Sequence, residues 1–217
     1  YNGEDSETIV LTVSTPPFSN TKSVQFDNHD YAGANAALLD STLGRTGNGG
    51  GSGDAWTISF FIKPTNSNSG RVVFYYGSND TTNGGIVELR ITSTNKLRLQ
   101  YGSNNNHVRL QTPSALTVDT WQHVIITYDG GTTGAASGSL SDYYGRFEIF
   151  IDSVSQTTSN SHSNYGYSNA ISGQNLRLGK LVSGNTLKGE KIDEVAIWNS
   201  DETTNVSSIY NSGTPFD

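Results

Sequence analysis

An all-β fold of two packed sheets is what the sequence predicts, on three observations. Charged residues make up only 15% of the 217 positions, too few for the Glu- and Lys-rich faces that surface helices favour. The 24 glycines join Ser, Thr and Asn in short clusters along the chain, as turns between brief strands require. Between those clusters apolar residues recur at period two, which is strand rather than helix spacing.

The elements follow in order. "ETIVLTVSTPPF" places Ile9, Leu11 and Val13 on one face and stops at Pro16-Pro17, which cannot donate to a ladder. This lone strand resembles the last strand of a bacterial or phage immunoglobulin-like module, so residues 1–20 are assigned to a preceding module plus linker and residues 21–217 to the main domain. The alternative is that Thr8 to Val13 forms an edge strand of the main domain. "SVQFD" turns Val24 and Phe26 inward. "WTISFFIKP" puts Ile58, Phe60 and Ile62 on one face and ends at Pro64. "RVVFYYG", "GIVELRIT", "KLRLQYG" and "HVRLQT" are short strands separated by polar turns. In "TWQHVIITYDGG" Val124, Ile126 and Tyr128 face one way while His123, Ile125 and Thr127 face the other. "GRFEIFID" aligns Phe147, Ile149 and Ile151, "NLRLGKL" adds a short strand and "KIDEVAIW" closes a set of roughly ten strands, enough for two sheets. Only "DETTNVSSIYNSG" has helical spacing, with Val206, Ile209 and Tyr210 at i, i+3 and i+4.

Composition excludes several functions. A net charge of −7 and a pI near 5.0 argue against nucleic acid and anionic membranes, because such partners are held by releasing counterions from phosphate. Without cysteine there is no disulfide framework, thiolate nucleophile or thiolate zinc site. The absence of Met, the initiator included, predicts a piece of a longer chain or a processed product. No apolar run approaches the ~18 residues of a membrane span, and no signal-peptide pattern opens the sequence. "GRTGNGGGSGD" lacks the Lys-Ser/Thr ending of a phosphate loop, and Asp54 would repel phosphate.

Taken together, "SVQFDNHDYAG", "WTISFFIKP", "WQHVIITYDGG", "GRFEIFIDSV", "NLRLGK" and "GEKIDEVAIWNSDETTNVSSIYNSG" resemble the laminin-G-like, pentraxin-related branch of the concanavalin A-like lectin/glucanase superfamily. They stand in that family's order and span Ser23 to Gly213. The resemblance implies an antiparallel jelly roll with one concave sheet, whose rim loops bind calcium or sugar. It also implies that Trp121 packs in the core and that His123 bonds locally, both as architecture. A catalytic His would need a nucleophile and an orienting carboxylate, and no Gly-x-Ser-x-Gly elbow is present.

Retaining glycosidases need two carboxylates about 5 Å apart, and the laminarinase-like members of the superfamily carry them as Glu-x-Asp-x-Glu. In "GEKIDEV" Glu190 and Glu194 share a face but Ile192 separates them and Asp193 points away, so hydrolysis is not expected. Calcium favours oxygen ligands from Asp, Asn and loop carbonyls, and two clusters qualify. Asn79 and Asp80 in "GSNDTTNGG" stand where pentraxins and laminin G modules carry calcium ligands, although "LGKLVSGNTLKG" has Lys where pentraxins add acids. Asp27 and Asp30 in "FDNHDY" would meet Asp193 if the first and last strands are neighbours; alternatively the first two make Asx turns and the third caps an edge. For sugar, Asn104, Asn105 and His107 in "GSNNNH", Tyr165 and Tyr167 in "SNSHSNYGYSN", and whichever of Tyr75 and Tyr76 reaches a sheet surface are the candidates. Amides satisfy hydroxyls and aromatic faces stack on sugar rings.

The expectation is therefore a non-catalytic binding module of a larger virion-surface or extracellular protein. It would recognise glycans or another surface ligand, use calcium structurally, and contact neighbouring domains of its own polypeptide without inserting into a membrane. A purely structural decoration domain is the alternative, since fold alone does not decide function.

Overall fold

The computed structural model describes residues 23–26, 32–35, 39, 42–43, 54–66, 70–78, 85–102, 107–131, 144–163, 175–181 and 187–213. Among these residues there are thirteen strands: β1 (Val24–Gln25), β2 (Ala32–Asn35), β3 (Trp56–Lys63), β4 (Arg71–Gly77), β5 (Ile86–Ile91), β6 (Lys96–Gly102), β7 (His107–Ala115), β8 (Gln122–Tyr128), β9 (Phe147–Ile151), β10 (Val154–Ser155), β11 (Ser159–Ser163), β12 (Asn175–Leu178) and β13 (Lys191–Trp198). They form a six-stranded sheet in the order β1-β13-β3-β8-β9-β10 and a seven-stranded sheet in the order β11-β7-β6-β5-β4-β12-β2. Every pairing is antiparallel. The strand expected over residues 8–13 lies outside the described residues.

The period-two patterns assemble the core as expected. Ile58, Phe60 and Ile62 of β3, Val124, Ile126 and Tyr128 of β8, and Phe147 and Ile149 of β9 all enter it from the six-stranded sheet. Val87, Leu89 and Ile91 of β5, Leu97, Leu99 and Tyr101 of β6, and Val108 and Leu110 of β7 meet them from the other sheet. Each such side chain contributes roughly 1.5–3 kcal/mol on burial. Two expectations fail at the margins. Val24 is 41% exposed, because β1 is a two-residue edge strand paired only with β13. Trp121 is half-buried rather than a core residue; it stands just before β8, ahead of the first residue with a strand partner.

Three strands escaped the pattern. β2 (AGAN), β10 (VS) and β11 (SNSHS) lack alternating apolar residues, and each lies at a sheet edge, where pairing rests on backbone bonds more than on a buried face. β9 turns into β10 through Asp152-Ser153, both in the left-handed region at φ 51° and 61°, the conformation of a two-residue hairpin whose twist matches the strands.

The outer face of the six-stranded sheet is covered by the chain end. A 3₁₀ turn at Thr203–Asn205 leads into helix α1 (Val206–Tyr210), whose Val206 and Ile209 pack on Ile125 and Phe150. Thr57 Oγ1 donates to the Ser200 carbonyl at 2.9 Å and accepts from the Glu202 amide at 2.9 Å. Beneath this cover lies His123, 2% exposed, its Nε2 2.7 Å from Ser59 Oγ and its ring stacked on Tyr210 and near Phe61. Its Nδ1 has no hydrogen-bond partner among the described residues, and burial pushes its pKa from 6.5 down to about 4.

The folded state therefore holds His123 neutral, while the unfolded chain protonates it at an ordinary pKa. A depressed histidine contributes its full stability above about pH 6.5 and loses it as pH falls towards 4, by roughly 3 kcal/mol in total. Urea unfolding at pH 7.5 and 4.5 is expected to show this slope in the parent and a smaller one in His123→Gln. Equal slopes in both proteins would show that His123 is not the titrating group. Among the described residues no helix is long and apolar enough to cross a membrane.

Candidate binding face

On β5, β6 and β7 the residues between the core positions point away from the sandwich. They are Glu88 and Arg90, then Arg98 and Gln100, then Arg109 and Gln111. The registers align them across the sheet. Arg90 is opposite Arg98 and Arg98 opposite Gln111, with Ser159 of β11 next in line; Glu88 is opposite Gln100 and Gln100 opposite Arg109. The result is two adjoining polar rows on the outer face of the seven-stranded sheet.

Glu88 is the hub. Its carboxylate accepts from Arg90 Nη2 at 3.0 Å, with Arg90 Nε at 2.9 Å, and Arg98 Nη2 lies 3.6 Å away. Arg109 Nε donates to the neutral Gln100 Oε1 at 2.7 Å. Glu88 is 3% and Gln100 1% exposed, so these groups sit well below the water surface. Loss of hydration holds the Arg98 and Arg109 guanidinium pKa values below the ordinary arginine range. Neighbouring arginines push the same way, and Glu88 opposes them. Beside this cluster a cavity of about 180 Å³ is lined by Arg98, Arg109, Gln111, Ser159 and Asn160, all polar side chains able to bond a hydroxyl or an oxyanion.

The residues singled out from sequence fall differently. His107 is on the same outer face, at the start of β7, 6% exposed and opposite Gly102 and Ser163. Tyr75 and Tyr76, expected as ligand contacts, are both fully buried. Tyr76 enters the main core, and Tyr75, though on the outer face, packs with Val72 and Ile86 under Leu181 and donates its hydroxyl to the Ser78 carbonyl. Neither ring is open to a sugar. Asn104, Asn105, Tyr165 and Tyr167 lie outside the described residues, as do the calcium candidates Asp27, Asp30, Asn79 and Asp80. Asp193 is 8% exposed on β13, and its Oδ1 accepts from the Glu194 amide at 2.8 Å. β1 does pair with β13, Val24 opposite Ile192, which bears out the neighbouring of first and last strands. Among the described residues no three His, Asp or Glu side chains converge as a metal site.

The carboxylate closest to a glycosidase pair in sequence is also committed elsewhere. Glu190 is fully buried and its Oε1 takes Arg71 Nη1 at 2.5 Å and Thr65 Oγ1 at 2.7 Å. The residues that build the polar face were readable in "GIVELRIT", "KLRLQYG" and "HVRLQT". Their alternation fixes Glu88, Arg90, Arg98, Gln100, Arg109 and Gln111 opposite the apolar positions.

A laminin G-type family model described as the concanavalin A-like lectin/glucanases superfamily matches residues 41–205. The chain belongs to that family. No curated protein matches it significantly in sequence. Among solved structures, the chain is similar to the CBM40 of the Ruminococcus gnavus IT-sialidase bound to α2,3 sialyllactose, with 13% identity, 87% of this chain and 96% of that one covered, and a TM-score of 0.58. It is similar to domains LG4-5 of the mouse laminin α1 chain, with 12% identity, 88% and 46% covered, and a TM-score of 0.51. It is also similar to a NanB sialidase from Streptococcus pneumoniae, with 14% identity, 89% and 27% covered, and a TM-score of 0.55. At these identities the likeness is one of fold.

Proposed function

We propose that this member of the superfamily is a non-catalytic, lectin-like binding module that takes a glycan on the outer face of its seven-stranded sheet. The observation that carries the reading is the cavity lined by Arg98, Arg109, Gln111, Ser159 and Asn160. A dense set of donors held by sheet backbone costs little ordering on binding, which is how a shallow polar site gains affinity for hydroxyl-rich ligands. The CBM40 neighbour, which was solved with a sialylated sugar, supports a glycan over other ligands. Against catalysis stands Glu190, which is locked to Arg71 in the interior and has no second carboxylate at glycosidase spacing from the sequence pattern.

The module belongs to a larger extracellular or virion-surface protein, with neighbouring domains of the same polypeptide as its contacts. Calcium serves it structurally through Asp27, Asp30 and Asp193 or through Asn79 and Asp80, since oxygen-rich loops near strand ends suit a hard cation.

A glycan array read in calcium and in EDTA tests the proposal, with thermal unfolding alongside. At least one glycan is expected to bind and to raise the unfolding temperature. Ligand at a hundredfold over its Kd stabilises the native state by about 2.7 kcal/mol. Calcium alone is expected to raise the midpoint as well. Coincident melting curves with and without calcium would discard the metal, and an empty array would leave the decoration-domain reading in its place.

A further inference from the structure

The outer face of the seven-stranded sheet carries more positive charge than it compensates. Arg90, Arg98 and Arg109 stand around Glu88, the one acidic side chain described on that face, so three guanidinium charges meet one carboxylate and two remain. Elsewhere the protein is acidic, with a net charge of −7. A cluster built only for stability would match its half-buried charges more closely, because an uncompensated charge partly withdrawn from water is costly. Here the partners stop short. Arg109 is given the neutral Gln100, and Arg98, which reaches Glu88 only through Nη2 at 3.6 Å, has no acceptor for its shielded Nε among the described residues. Both side chains border the same cavity, where Gln111 and Ser159 add neutral polar groups and no acid intervenes.

We infer that the cavity between Arg98 and Arg109 is an oxyanion subsite, and that the glycan this module takes is acidic, presenting a carboxylate or sulfate group to the two guanidinium groups. The inference rests on the glycan-binding reading above and specifies its ligand class. Two forked donors suit a planar or tetrahedral oxyanion, and charge-assisted bonds are about twice as strong as neutral ones. Gln111, Ser159 and Asn160 line the remaining wall and would bond the sugar hydroxyls. Desolvation first, and then the positive charge of Arg98, hold the Arg109 pKa down, and an entering anion would offset both.

The test uses three trisaccharides that differ only in the acid: trigalacturonate, a sulfated galactotriose and neutral galactotriose, titrated calorimetrically into the intact domain. At least one acidic probe is expected to bind ten times or more tighter than the neutral one, with affinity falling as salt rises. Which acid wins identifies the oxyanion. Arg109→Met and Arg98→Met are expected to lose about tenfold to a hundredfold for that probe and to lose its margin over the neutral sugar. The salt series on the parent protein keeps the test independent of how the variants fold. Equal binding of acidic and neutral sugars, or variants that bind the acid as well as the parent, would overturn the inference while leaving the module reading intact. A domain that binds none of the three overturns the inference, and together with an empty array it overturns both readings.

Discussion

Glu190→Gln is expected to unfold with about 3–5 kcal/mol less free energy than the parent, a drop of roughly 10 °C in midpoint for a domain of this size. Glu190 immediately precedes β13 of the six-stranded sheet, and Arg71 opens β4 of the other. Both side chains are wholly inaccessible, and Arg71 Nη1 meets Glu190 Oε1 at 2.5 Å. The site is then closed by Thr65 after β3 and Asn95 in the β5–β6 turn. Arg71 donates to the Thr65 carbonyl at 3.0 Å and to Asn95 Oδ1 at 2.5 Å, while the Lys188 amide donates to Glu190 Oε2. Removing the carboxylate charge but keeping the shape leaves the guanidinium buried without its counter-ion, which is what makes breaking a buried pair costly. Burial already holds the Arg71 pKa down, and Glu190 is what opposes that. Arg71→Met/Glu190→Gln is expected to recover part of the loss, because neither charge is then stranded. Chemical denaturation measures both; a loss under 1 kcal/mol in the single variant would show that Arg71 finds water in place of its partner.

That ion pair also marks the limit of reading the chain locally. Residues 119 apart share no spacing signal, and Glu190 stood out in sequence only as a poor glycosidase carboxylate. What local pattern does carry is the inward face: Ile58-Phe60-Ile62 and Val124-Ile126-Tyr128 are core residues because side chains alternate whatever the neighbouring strand is. The helical spacing of Val206, Ile209 and Tyr210 is legible for the same reason. The polar strand β11 is not, since Ser-Asn-Ser-His-Ser follows no apolar rhythm and is held by its ladder to β7. Tyr75 shows a subtler failure. Alternation correctly places it on the face opposite Tyr76, but whether a face meets solvent depends on what packs over it, and Leu181 does so here. The arginine face is legible too, because the alternation that defines the core defines its reverse equally well; which strands lie side by side to bring Arg98 near Arg109 is not.

Trp56→Ala is the second large loss expected, about 3–5 kcal/mol, from transfer and cavity terms together. Trp56 is 1% exposed, with ring centroids 5.6 Å from Tyr128, 6.1 Å from Phe147 and 6.3 Å from Tyr101. Tyr128 and Phe147 stack at 4.8 Å, and Tyr101 lies 5.4 and 5.3 Å from them. The four rings join β3, β8 and β9 of one sheet to β6 of the other, so deleting the largest leaves a void that the rest cannot close without separating the sheets. The Trp56 indole N–H has no acceptor among the described residues, and Trp56→Phe, which removes the stranded donor and keeps most of the ring volume, is expected to cost clearly less than Trp56→Ala. Equal losses would show that the volume of the Trp56 ring is not what the cluster depends on. Tyr101 belongs to the strand that carries Arg98 and Gln100 on its opposite face, and the ladders of β6 to β5 and β7 fix that face independently of the rings. Below its own midpoint Trp56→Ala should therefore bind an acidic sugar within a few-fold of the parent, whereas Arg109→Met should melt like the parent and bind weakly. Calorimetry on the two variants separates what holds the sandwich together from what its outer face recognises; a binding loss in Trp56→Ala as large as that in Arg109→Met would mean that the polar face depends on the aromatic cluster beneath it.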